Sequence, residues 1–144
     1  MANLPLNDFL ERATTRSWGW GTLDCCLFIA DWVQEETGID PAAEYRGTYC
    51  SERQARDLVK TVGGPERLLQ RCLAHANCTR TEHPQRGDVG LVMVGAKRWR
   101  DRILLLPTAA ICVRPKMWAV KATDSASVLI QNFPVRAAWT FRHG

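Results

Sequence analysis

The arrangement in this sequence best suited to chemistry is a cysteine that follows an aspartate where a loop turns into an apolar helix. Asp24 precedes Cys25 and Cys26, and a glycine-tryptophan loop, Ser17-Trp18-Gly19-Trp20-Gly21-Thr22, leads into them. A helix N-terminus lowers a thiol pKa, and Asp24 is placed to cap that terminus. A nucleophilic cysteine also needs a base, because Asp24 alone raises the thiol pKa. Six cysteines face only three histidines, His75, His83 and His143. Adjacent cysteines also serve simply as small buried apolar residues. That is the expected use of most of the others, Cys50, Cys72, Cys78 and Cys112. No C-x-x-C pair occurs, so no zinc ribbon and no metal or cofactor is expected.

A second cluster is basic. Lys97, Arg98, Arg100 and Arg102 surround Trp99. Residues 1–72 hold 8 Lys/Arg against 11 Asp/Glu, whereas residues 73–144 hold 11 against 4, within a net charge of +4. Such asymmetry suits a solvated basic face or the docking of something acidic. No nucleic-acid fold motif accompanies the cluster, so a nucleic-acid role is not expected. Trp18, Trp20 and Trp99, in loops, are candidate interface anchors.

Elements must position these residues. With 144 residues, 46% hydrophobic and 24% charged, the chain reads as one domain over residues 1–144. No apolar run approaches a membrane span, and residues 1–15 lack the basic start and apolar stretch of a signal peptide. Folding in a cytosol is therefore expected, which argues against a disulfide framework. Leu6, Phe9 and Leu10 give residues 5–15 a helical face. Cys25 to Thr37 is the next helix, apolar around much of its circumference, closed by Gly38. Asp40-Pro41 opens a short turn. Ser51 and Gln54 fit a capping box for a helix ending at Gly63-Gly64, and Pro65 opens another that turns Leu68, Leu69 and Cys72 inward.

From about residue 80 the pattern becomes strand-like. Val89–Val94, Leu104–Leu106, Ala109–Val113, Trp118–Lys121, Ser127–Gln131 and Ala137–Phe141 are the candidates. Helices over about 1–79 followed by strands over about 80–144 predict an α+β fold. The links are too short for helical crossovers, so the sheet is expected to be mostly antiparallel.

Trp18-Gly19-Trp20-Gly21-Thr22-Leu23-Asp24-Cys25 resembles the aromatic-x-aromatic-Gly…Asp-Cys signature of the NlpC-type, papain-like cell-wall peptidases. Arg86-Gly87-Asp88-Val89-Gly90-Leu91-Val92 resembles the Gly-Asp step into the first strand of their sheet. The resemblance implies a papain-like fold with N-terminal helices packed on a C-terminal sheet, Cys25 as nucleophile and peptidoglycan as the substrate class. It implies a base histidine where this chain has Thr108, in Thr108-Ala109-Ala110-Ile111, and a third polar residue near Trp118-Ala119-Val120, where none stands. Threonine cannot accept a thiol proton near neutral pH. His83, in the loop entering the sheet, is the best-placed substitute base. Ala30-Asp31-Trp32-Val33, Gly38-Ile39-Asp40-Pro41-Ala42-Ala43 and Tyr45-Arg46-Gly47-Thr48-Tyr49 resemble small proteins of phage and prophage tail modules. The implied role is structural: a tail-tip or baseplate component with degenerate catalysis, made in the host cytoplasm, located in the virion and contacting other tail proteins. The alternatives are an active peptidoglycan-cleaving peptidase or amidase acting during DNA entry, and a basic binding module centred on Lys97–Arg102.

Overall fold

The computed structural model describes the backbone of residues 4–21, 24–100, 102–122 and 126–142, and the side chains of all of these except residues 4, 96–99 and 103. Four helices come first: α1 (Leu4–Ala13), α2 (Cys25–Thr37), α3 (Glu52–Val62) and α4 (Pro65–His75). Strands follow: β1 (Thr79–Arg80), β2 (Val89–Trp99), β3 (Arg102–Arg114), β4 (Met117–Lys121), β5 (Val128–Gln131) and β6 (Val135–Thr140). They pair antiparallel in one sheet of order β1-β6-β2-β3-β4-β5. The fold class is α+β.

The central helix α2 forms where its end signals place it. The Asp24 carboxylate accepts from the Cys26 and Leu27 N–H groups at 3.1 and 3.0 Å. Gly38 closes the other end at φ +80°, a conformation that costs glycine little. Leu27, Phe28, Ile29, Ala30, Trp32 and Val33 are all buried. Trp32 Nε1 donates to the Gly87 carbonyl at 2.8 Å, tying α2 to the turn that opens β2. Residues 41–47 form turns held on α2 by Arg46, which bonds Asp40 at 2.7 Å and Asp31 at 2.6 Å.

Helix α3 differs in kind. Its Ser51 cap accepts from Gln54 N–H at 3.1 Å, while Gln54 Oε1 reaches back to Cys50 N–H at 2.8 Å, one residue beyond the expected reciprocal bond. None of its residues is fully buried. Ala55, Leu58, Val59 and Val62, at helical spacing, are half-buried.

The sheet is apolar on both faces, which explains the near-continuous apolar strands. Val89, Leu91, Ala109, Ile111, Ala119, Ala137 and Trp139 join the helices in the main core. Val92, Ala110, Cys112, Trp118, Val120 and Ala138 form a second core on the other face, closed by Phe133. Four strand spacings of about 4.8 Å separate β5 from β6, more than residues 132–134 can span at about 3.5 Å per step. The sheet must therefore curl, and Phe133 fills its hollow side.

The strands differ from expectation in three places. Leu104–Leu106 and Ala109–Val113 belong to one strand, running through Pro107. Pro107 pairs with Met93 on β2, while β4 pairs with β3 only from Ile111 onward. The missing N–H therefore falls on an unpaired edge. Strand β2 continues to Trp99 and forms a long hairpin with β3, so the basic cluster lies at a hairpin turn. The two-residue β1 is too short to leave a periodic signal.

Candidate functional site

Asp24 organises the start of α2. It is buried, and besides Cys26 and Leu27 it accepts from the Gly21 N–H at 3.2 Å and from the Tyr49 hydroxyl. Four donors leave its carboxylate without a free lone pair to act as a base. Burial, and then the Asp24 charge beside it, push the Tyr49 pKa well above its ordinary value, so Tyr49 stays a donor.

Cys25 opens the first turn and is half-buried. The neighbouring Cys26 thiol is the first cause that lowers its pKa, and the backbone at Ala109 and Cys26 adds to the effect against burial and the Asp24 charge. Cys26 is pushed well above its ordinary value, first by donating to Cys25 and then by burial. The two thiols are coupled and titrate as a pair. Together with Cys72, these thiols line a cavity of about 200 Å³ between α2, residues 41–49, α3 and α4.

The β3 residue whose backbone acts on the Cys25 thiol is Ala109. It belongs to the helix-side core against which Cys25 packs. Thr108, the residue expected in the base position, has the opposite parity, on the side of Ala110 and Cys112. Its hydroxyl donates to the Leu106 carbonyl at 3.2 Å. His83 is exposed and lines a separate cleft with Lys116 and Trp118, not the cavity at Cys25. His75 is exposed at the end of α4, and His143 lies outside the described residues. Among the described residues, no imidazole lines the cavity at Cys25. None of their His, Cys, Asp and Glu side chains gather in threes or more to hold a metal ion. No helix among them is long and apolar enough to cross a membrane.

Comparison with known proteins places residues 3–141 within the model of one family, a domain of unknown function, DUF6950. The chain belongs to this family. No curated protein and no solved structure matches it. The family assignment covers both the helical layer and the whole sheet.

The remaining sequence candidates lie apart from the thiols, except Trp20. Trp18 and Trp20 are half-buried and meet edge to face with centroids 5.0 Å apart; Trp20 lines the cavity. Arg100 and Arg102 are exposed at the β2–β3 turn, while the side chains of Lys97, Arg98 and Trp99 lie outside the described residues. Sequence reasoning missed three parts: Tyr49, the influence of Cys26 on the Cys25 thiol, and that of the Ala109 backbone. Tyr49 is 25 residues from Asp24. The N–H of an alanine carries no sequence signal at all.

Proposed function

We propose that this chain is a papain-like domain of NlpC type whose cysteine site is retained without its base, and that it works by contact, as a structural component of a phage tail tip or baseplate. One observation carries the loss of catalysis: among the described residues, no imidazole lines the cavity at Cys25. A thiol with no imidazole beside it has nothing to take its proton or to protonate a leaving amine. The NlpC-type assignment draws support from the Trp18–Cys25 and Arg86–Val92 motifs. It also draws support from a cysteine that opens a buried helix packed on an antiparallel sheet. The tail placement draws support from residues 30–49, which form the middle of α2 and the Arg46-clamped turns. Its partners would be neighbouring tail proteins, with peptidoglycan as the surface met, and its location the virion.

The test has two arms. Purified protein incubated with peptidoglycan is expected to release no stem peptides, and Cys25→Ser to behave identically. Release by the wild type but not by Cys25→Ser overturns the catalytic part. Mass spectrometry of purified particles from a producing strain is expected to find the chain in tails. Its absence from them overturns the structural part.

A second reading, an active thiol peptidase or amidase, is favoured by the lowered pKa and partial exposure of Cys25. It requires a base that the described residues do not place at Cys25, and the peptidoglycan arm decides it.

A further inference from the structure

The cavity beneath α3 has no use in the fold as described. Its lining is almost wholly apolar, with Ala30, Leu58, Val59, Leu69 and Leu73 prominent. Its volume is about 200 Å³. A dry apolar cavity of about 150 Å³ accepts benzene. This one therefore has room for an aliphatic group of about six to eight carbons.

Helix α3 is the wall best able to admit a ligand. It has no fully buried residue, its apolar stripe is only half-covered, and Gly63 and Gly64 at its end have φ of +104° and +114°. Glu52 and Arg56, also among the lining residues, are exposed and paired at 2.9 Å. They form a polar rim above an apolar interior. The geometry points to a binding site for a short acyl chain. Its hydrocarbon lies between α2, α3 and α4, and its polar head sits at Glu52 and Arg56. Cys25 and Cys26 line the same cavity, so a bound chain covers them. The site stands whether or not Cys25 turns over a substrate.

The cysteines supply the readout. Wild-type protein is treated with iodoacetamide with and without hexanoate, octanoate or 1-octanoylglycerol, and alkylation is mapped by mass spectrometry. Butanoate, too short to fill the space, is the control ligand. Cys50 is exposed and does not line the cavity, so it is the internal standard. At ten times the apparent Kd, octanoate is expected to slow alkylation of Cys25 and Cys26 roughly tenfold and leave Cys50 unchanged. A free acid as ligand predicts that Arg56→Gln weakens octanoate alone. An ester-linked chain predicts tighter binding of 1-octanoylglycerol with no effect of Arg56→Gln. Ala55→Phe fills the cavity from the half-buried side of α3 and is expected to abolish protection. Ala55→Leu is the milder filler should the first fail to fold. Protection by none of the longer probes, equal protection of Cys50, or undiminished protection in a folded filled variant overturns the site.

Discussion

The Tyr49 hydroxyl donates to the Asp24 carboxylate, joining the end of the 41–49 segment to the cap of α2. This bond makes Asp24 more than a helix cap. Asp24→Ala removes the acceptor for two N–H groups of α2 and strands a buried hydroxyl. It is expected to cost about 2–4 kcal/mol by chemical denaturation. Tyr49→Phe leaves the backbone donors in place and is expected to cost about 1–2 kcal/mol. A loss below about 0.5 kcal/mol for Asp24→Ala, the range of an ordinary surface change, would contradict this role.

The thiol pair predicts a pH signature. With Cys50→Ser removing the exposed thiol, Cys25 is expected to alkylate with a midpoint below the ordinary value of about 8.5. Cys26→Ala removes its strongest lowering influence and should move that midpoint up. Asp24→Asn removes a negative charge that opposes the thiolate and should move it down. The opposite order of the two variants would show that neither neighbour governs Cys25.

The other buried thiols predict alkaline weakening. Burial is the first cause that pushes Cys72, Cys78 and Cys112 each up to about 11. A pKa raised by folding contributes stability that is complete below the unfolded value of about 8.5 and is lost as pH climbs through the folded one. Unfolding free energy is therefore expected to fall between about pH 8.5 and 11, by about 1–2 kcal/mol per thiol once partial solvation is allowed for. Cys112→Ala, the most buried of the three, should flatten the slope. An unchanged slope in all three single variants would rule this origin out.

The fold was legible where local signals and burial agree. Asp24 and Gly38 bound α2 at the residues expected, because caps act through their own and adjacent backbone. Pro107 misled, because whether a proline breaks a strand depends on which edge is paired, a fact of the assembled sheet. The site was half legible. Cys25 could be placed from its helix, but Thr108 could not be assigned a face, since one residue of strand phase sends a side chain to the opposite side. Nor could the cavity be foreseen: the Ala55, Leu58, Val59 and Val62 stripe announces an inward face, not an incompletely filled one.

The loop before α2 supplies the most stringent check on this geometry. Gly21 holds φ +79°, donates its N–H to Asp24 at 3.2 Å, and lies so close to Tyr49 that an added Cβ would overlap the Tyr49 carbonyl oxygen. Gly21→Ala combines a left-handed backbone with that overlap. One of three things must shift: the loop, the 41–49 segment, or the Tyr49–Asp24 bond. The expected loss is about 3 kcal/mol or more, well above the roughly 1 kcal/mol of a glycine-to-alanine change limited by backbone conformation. Because the overlap is with Tyr49's backbone, Tyr49→Phe should not relieve it. The two substitutions still share Asp24, so the double variant should lose less than the sum of the singles. A fully additive double variant, or a Gly21→Ala protein as stable as the wild type, would mean that the loop and the cap of α2 are not coupled.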